Sequence, residues 1–182
     1  MIHRKRKNPE LGRISPEEFK EAEKAPLILI LDDVRSLNNV GSIFRTADAF
    51  RVQKIYLCGI TPRPPHKDIH KTALGATDSV HWEYVKDVVE LVKRLKDEGV
   101  RVLSVEQAEA SVSLDALALS PHQTFALVFG HEVKGVKQEV VSMSHQVVEI
   151  PQFGTKHSLN IAVSVGIVLW ECFSHLKPEG LD

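Results

Sequence analysis

The sequence predicts an α/β protein built on a mostly parallel sheet with helices on both faces. Two observations carry that prediction. Residues 27–31 (Leu-Ile-Leu-Ile-Leu) and 125–129 (Phe-Ala-Leu-Val-Phe) are continuous apolar runs without alternation, as expected of strands buried on both faces. Segments with helical spacing lie between such runs, among them Val88, Val89, Val92 and Leu95. Strands that alternate with helices give parallel pairing, because each helix carries the chain back to start the next strand.

In chain order, His3-Arg4-Lys5-Arg6-Lys7 forms a basic tail. Ser15-Pro16-Glu17-Glu18 reads as a helix start, with serine capping, proline in the first turn and Glu18 closing a capping box. That helix ends near Lys24. A strand is expected at 27–31, a helix at 40–50 with Ile43, Phe44 and Ala47 on one side, and a strand at 54–58. After a proline- and histidine-rich segment (61–66) come a short helix at 71–76 and a strand at 80–85. The helix beginning at Val88 is stopped by Gly99. Strands at 100–105 and 125–129, a helix at 138–144 and a strand at 147–150 come next. A long helix from about 159 to 175 closes the chain before Pro178. The length of 182 residues fits one domain. Residues 1–26 read as a basic tail and short helix, and 27–182 as the domain proper.

Charge is balanced, with 23 Lys+Arg against 24 Asp+Glu. A nucleic-acid surface must therefore come from uneven placement of charge. Cys58 and Cys172 lie in apolar surroundings and are expected as buried thiols in a reducing cytoplasm. The longest apolar stretch, residues 161–170, contains Ser164 and Gly166 and is followed by Glu171, so no membrane span is expected. The basic N-terminus has no apolar stretch behind it and does not read as a secretory signal. His66 and His70 are four apart, but the preceding prolines and the lack of a third ligand argue against a metal site, and none is expected.

Three segments interrupt good secondary structure with polar residues and glycines. Each begins at or just after an expected strand, where ligands of parallel sheets bind. In the first, Asn39 stands where a loop enters a helix and Arg45 lies about two turns further on. The plain alternative is that Asn39 caps the helix and Arg45 pairs with Asp48 or Asp33. In the second, Phe129-Gly130-His131-Glu132-Val133-Lys134-Gly135, Gly130 would admit a ligand close to the backbone and Glu132 could orient a hydroxyl or amine. The plain alternative, and the commoner one for so short a glycine spacing taken alone, is a turn with a solvated glutamate. In the third, Ile150-Pro151 leads through Gly154 to Ser158-Leu159-Asn160 at the mouth of the last helix, where free N–H groups suit an electron-rich ligand. Ser158 is expected to cap that helix in any case.

Together these segments resemble the SpoU, or TrmH, family of RNA ribose methyltransferases in the SPOUT superfamily. Asn39-Val40-Gly41-Ser42-Ile43-Phe44-Arg45-Thr46-Ala47 matches the family's first motif throughout, Phe129 to Gly135 the second, and Ile150-Pro151, Gly154 and Ser158-Leu159-Asn160 the third. The similarity runs from about Leu27 to His175. The resemblance implies a Rossmann-like sheet with a deep C-terminal trefoil knot, and a homodimer with an active site shared across its interface. It implies S-adenosylmethionine (AdoMet) as methyl donor, contacted by Gly130, Ile150 and Leu159, with Glu106 joining them. It assigns Asn39, Arg45, Glu132, Ser158 and Asn160 to the catalytic and RNA-binding set, and makes structured RNA (tRNA or rRNA) the partner. Two departures stand out. His131 occupies a place where many relatives carry Asn or another small residue. Only residues 1–26 precede the core, so RNA recognition rests on the core, the basic tail and the 61–71 loop.

A ribose hydroxyl is a poor nucleophile until it loses its proton, so the protein must align the reacting atoms and help remove that proton. Arg45 could take the proton if its surroundings perturb it, or stay charged, clamp a phosphate and stabilise the developing alkoxide. Ser158, Asn160 and Glu132 would position the ribose or Arg45. A non-catalytic RNA- or AdoMet-binding module is the rival reading. A dinucleotide-dependent oxidoreductase is disfavoured, because no Gly-x-Gly-x-x-Gly follows the first strand.

Overall fold

The structure, a computed structural model, describes residues 3–181. The outermost residues of the two expected segments, Met1, Ile2 and Asp182, lie outside it. The elements run α1 (Pro16–Glu21), β1 (Ala25–Asp32), α2 (Leu37–Ala49), β2 (Val52–Cys58), α3 (Lys67–Ala73), α4 (Ala76–Ser79) and β3 (Trp82–Val85). They continue with α5 (Val88–Asp97), β4 (Arg101–Val105), β5 (Val112–Ser113), β6 (Phe125–Phe129), α6 (Gln138–Met143), β7 (Gln146–Glu149) and α7 (Ile161–Leu176).

The seven strands form one sheet in the order β3-β2-β1-β6-β4-β7-β5, and every neighbouring pair is parallel. β1 shows why its sequence does not alternate. Leu27, Leu29 and Leu31 join a core with Ile43, Phe44, Ile69, Val165 and Leu169 from α2, α3 and α7. Ile28 and Ile30 join the opposite core with Leu91, Val92, Leu95 and Val140 from α5 and α6. Both faces are covered, so both sets of side chains must be apolar. Cys58 and Cys172 are buried and free, and burial pushes both thiols up to about 12. No helix among the described residues is long and apolar enough to cross a membrane.

α1 begins as expected: Ser15 accepts from Glu18 N at 3.1 Å while Glu18 accepts from Ser15 N at 2.7 Å. It ends at Glu21, where Lys24 turns its ammonium onto the Phe19, Lys20 and Ala22 carbonyls. Phe19 is buried in the same core as β1. The expected single helix at 71–76 is instead two short ones, because Leu74 and Gly75 both adopt positive φ (50° and 90°) and break the helical path. His66 is the N-cap of α3, its Nδ1 accepting from Asp68 N at 3.2 Å.

Two caps differ from expectation. α2 starts three residues earlier than its apolar stripe, at Leu37, and Ser36 caps it by accepting from Asn39 N at 3.3 Å. Asn39 is thus inside the first turn with its side chain released from capping. α7 is capped by Asn160, which accepts from Ala162 N at 2.9 Å, and Ser158 makes no cap bond.

Gly41 lies where α2 crosses α3. A Cβ there would stand 2.1 Å from Thr72 Oγ1 and 2.3 Å from the Ile69 carbonyl oxygen. One of these is backbone, so the helices would have to separate. Gly41→Ala is expected to destabilise the fold by about 1–3 kcal/mol, as overpacked positions do, despite alanine's better helix propensity. Thermal denaturation of the variant checks it; an unchanged or raised melting temperature would contradict this packing.

Candidate functional site

In the sheet order, β6 is inserted between β1 and β4, and the chain turns from one side of β1 to the other. Ligands of open parallel sheets collect at the C-terminal strand ends at such a reversal. A cavity of about 500 Å³ lies there, lined by Glu106 after β4, Gly130 to Val136 after β6, and Ile150, Gln152, His157, Ser158 and Leu159 after β7. Its walls are mixed, with Val105, Phe129, Ile150, Leu159 and Ile161 apolar.

Four loop features shape the cavity. The 130–136 turn closes on itself, with His131 N donating to Gly135 O at 3.1 Å and Gly135 N to His131 O at 2.8 Å. This closure requires a glycine at 130: a Cβ would lie 2.1 Å from the Gly135 carbonyl oxygen. His131 Nδ1 accepts from Val133 N at 2.9 Å, the turn bond an Asn side chain also makes. The departure at this position therefore leaves the loop hydrogen-bonded. Glu106 accepts from Val136 N at 2.9 Å and Gln107 N at 2.8 Å, so its carboxylate braces the turn from the β4 side.

Glu132 reaches the other way. Its two oxygens accept from Arg35 N (3.2 and 3.0 Å) and Ser36 N (3.0 Å), the residues that lead into α2. Partial burial disfavours the charged carboxylate. The N–H groups of Arg35, Glu132 itself and Ser36, together with the Asn39 amide, outweigh it and hold the carboxyl below its ordinary value. Asn39 Oδ1 also accepts from Asn160 Nδ2 at 3.2 Å, so residues 121 positions apart in sequence meet beside Glu132. Lys137 adds a second tie between the same loops, 3.1 Å from buried Asp32 and 3.0 Å from Asp33. Burial pushes the Asp32 carboxyl above its usual range in spite of that lysine. Sequence reading did not single out Lys137 or Asp32. The pair's only signal was a charge at the end of an aliphatic strand.

The structure thus brings Asn39, Glu132, Ser158, Asn160, Gly130, Ile150, Leu159 and Glu106 to one edge of the sheet. Arg45 stands apart. It is exposed, does not line the cavity, and faces a groove with Arg6, Arg13 and Arg51. The alternative that Arg45 is a surface ion-pair partner does not hold. Asp48 accepts from the Ser79 hydroxyl, Asp33 is taken by Lys137 and Ile60 N, and among the described residues no ion pair or side-chain hydrogen bond engages Arg45. Among the described residues no group of three or more His, Cys, Asp or Glu is placed to hold a metal ion.

Fold and cavity together define an α/β protein with its candidate ligand site at the carboxyl edge of a parallel sheet. The chain belongs to the SpoU rRNA Methylase family, whose family model matches residues 26–170. It is 33% identical over 166 residues to the 23S rRNA (guanosine-2'-O-)-methyltransferase RlmB of Nitrosomonas europaea, covering 90% of this chain and 63% of that protein. It is 28% identical over 170 residues to the tRNA (guanosine(18)-2'-O)-methyltransferase of Aquifex aeolicus, covering 90% of this chain and 76% of that one. Among solved structures it resembles the A. aeolicus TrmH/SpoU tRNA modifying enzyme (TM-score 0.76, 27% identity, 87% of this chain and 79% of that one). It also resembles an AdoMet-bound rRNA methyltransferase from Sinorhizobium meliloti (TM-score 0.78, 27% identity, 95% and 67%). The chain spans just over three-fifths of the Nitrosomonas protein's length.

Glu132→Gln removes the charge and presents an amide N–H₂ to backbone donors, so it is expected to cost about 1–3 kcal/mol at pH 7. A carboxyl held low in the folded state stabilises it above the unfolded value, about 4.3, and loses that contribution as pH falls through the lower folded value. The gap between wild type and variant should therefore be full at neutral pH and close progressively below about pH 4. Urea denaturation of both proteins across that range measures it, and a gap independent of pH would show that the charge is not what Glu132 contributes.

Proposed function

We propose that the protein transfers a methyl group from AdoMet to the 2'-hydroxyl of a ribose in structured RNA, tRNA or rRNA. The observation that carries this is the meeting of all three motif segments at one sheet edge, with an unpaired arginine on the helix that the first of them opens. The family supports the reading through relatives bearing the names of 2'-O-methyltransferases.

The cavity suits the cofactor. About 500 Å³ is within the range of small-molecule sites, and its wall mixes apolar side chains for a purine ring with backbone and polar groups for charged ends. AdoMet supplies an already activated methyl on a sulfonium. Gly130, Ile150 and Leu159 would hold it, with Glu106 acting through the turn it braces. Glu132 works as a positioning residue: it fixes the backbone entering α2 and so the direction in which α2 presents Asn39 and Arg45. Ser158 lines the cavity, where a ribose would be oriented, and Asn160, two residues on, would hold Asn39 in place beside it. Arg45 acts as a charged donor that clamps phosphate and stabilises the 2'-alkoxide as its proton passes to solvent, while the methyl carbon's bond to the ribose oxygen replaces its bond to sulfur and a neutral thioether leaves.

Arg45 and the cavity belong to one active site if two copies pair, so the reading includes a homodimer with each Arg45 serving the partner's cavity. Val163, Ile167 and Trp170 support it. They lie on one face of α7, opposite its buried face, with exposures of 51%, 39% and 61%. The deep trefoil knot is part of the same proposal. Its support is that the segment after β7 lines one cavity with the loops that follow β4 and β6, and that α7 then packs against α2 and β1 on the far side of those strands. Residues 27–182 would be the methyltransferase domain and 1–26 an accessory segment, in a cytoplasmic protein.

Two measurements test the reading. Arg45→Lys keeps the charge and loses the planar fork, and single-turnover methyl transfer should fall about a hundredfold or more while AdoMet affinity holds. A folded, cofactor-binding variant as fast as wild type would remove Arg45 from the chemistry. In the second, Arg45→Ala and Leu159→Glu proteins, each inactive alone, are mixed and allowed to exchange subunits. A shared site predicts recovery of up to about a quarter of wild-type activity, since half the dimers then hold one intact site of two. Absence of any recovery in verified mixed dimers would rule out the shared site.

A further inference from the structure

The groove that holds Arg45 has a volume of about 740 Å³ and is walled by two parts of the chain. On one side are Arg6, Arg13 and Ile14 of the N-terminal segment; on the other are Arg45 and Arg51 around α2, with Leu74 beyond them. Asn8–Leu11 forms a 3-10 turn and the buried Phe19 anchors α1 behind it, so this segment is a built wall and not a loose tail. Arg4 is engaged with Glu10 at 3.1 Å, but among the described residues Arg6, Arg13, Arg45 and Arg51 have neither ion pairs nor side-chain hydrogen bonds. The one carboxylate in the lining, Asp48, is occupied by the Ser79 hydroxyl. Positive charge is crowded beyond the groove itself: after burial, Arg51 is the next cause that pushes the Lys24 ammonium below its usual range.

Four unpaired guanidiniums in one groove are unusual in a chain whose net charge is −1. Such an arrangement costs like-charge repulsion and brings no internal compensation, so its complement lies outside the chain. Guanidiniums match phosphate oxygens with paired N–H donors. The exposed Ile14 and Leu74, at 39% and 65%, offer apolar flanks of the kind a ribose or base edge meets. We propose that this groove binds the sugar-phosphate backbone of the RNA flanking the target nucleotide, with Arg6, Arg13 and Arg51 gripping successive phosphates and delivering the strand to Arg45. The proposal rests on the methyltransferase reading and adds to it the residues that hold the RNA and the path it takes. Because the contacts are to phosphates, the grip is indifferent to sequence, and selection of the nucleotide falls to other parts of the surface.

The experiment uses the full chain with unmodified total tRNA and total rRNA as probes, at several salt concentrations. Arg13→Gln and Arg51→Gln should each weaken RNA binding several-fold and lower the salt slope by about 0.7 to 0.9 per lost phosphate contact. KM for RNA should rise, AdoMet affinity and melting temperature should stay, and Arg13→Lys and Arg51→Lys should restore most of the binding. Lys93→Ala, which removes an exposed charge from α5 on the other side of the sheet, should leave the slope unchanged. If wild type binds and methylates RNA while both Gln variants keep its affinity and slope, the groove assignment is wrong and the function stands. If a polyglutamate peptide binds with the same strength and the same arginine dependence as RNA, the groove serves an acidic protein instead. If wild type neither binds nor methylates RNA, the underlying reading fails first.

Discussion

The Glu132 carboxylate stands between two loops that lie almost a hundred residues apart in the chain, and its three bonds to Arg35 and Ser36 hold them at a fixed distance. Much else depends on that spacing. Ser36 caps α2, so fixing its N–H fixes where the helix begins. Where α2 begins decides which way Asn39 points, and Asn39 in turn meets Asn160 at the start of α7. Lys137 repeats the tie one turn further on by reaching Asp32 and Asp33. Charge-assisted bonds to backbone N–H groups are stronger than neutral ones, and several made by one carboxylate also fix its orientation. The edge of the sheet is therefore a cross-braced frame.

That frame explains how polar residues of similar type have different duties. Asn39 and Asn160 touch each other, yet one caps a helix and the other does not. Glu106 and Glu132 brace the same turn from opposite sides, one toward β4 and one toward α2. The turn's two glycines answer to different needs: a side chain on Gly130 would meet the Gly135 backbone, and Gly135 has φ +69°, a conformation that other residues rarely adopt. Only a narrow set of residues closes such a turn, which accounts physically for the two glycines five positions apart in this segment.

The strands were legible in the sequence because burial on both faces leaves an aliphatic signature, clearest in Leu27 to Leu31 and Phe125 to Phe129. So was α1, where serine, proline and glutamate fall at cap positions. The caps of α2 and α7 were not. Ser36, Asn38 and Asn39, or Ser158 and Asn160, are interchangeable as caps by chemistry, and the choice is made by tertiary bonds that a linear pattern does not carry. The two-residue β5 is too short to leave a signature, and the break at Leu74-Gly75 needed the backbone angles. Of the site, the three polar loops could be placed at one sheet edge from their position after strands. The separation of Arg45 from the cavity could not, because it depends on which way α2 is rolled against α3 at Gly41. The N-terminal arginines read as a tail because nothing in their own pattern shows that Phe19, further along, is buried.

The position of β6 between β1 and β4 has a consequence for biosynthesis. As the chain leaves the ribosome, β1, β2 and β3 can pair with one another, but β1 keeps one apolar edge bare until β6 emerges about 90 residues later. At about 5–20 residues per second that interval lasts on the order of several seconds. During it, a strand rich in leucine and isoleucine presents unpaired N–H and C=O groups, the form in which nascent chains associate with one another. The insertion that creates the cavity-bearing edge also makes the young chain dependent on protection, and overproduction at high temperature should be where that dependence first appears as insoluble protein.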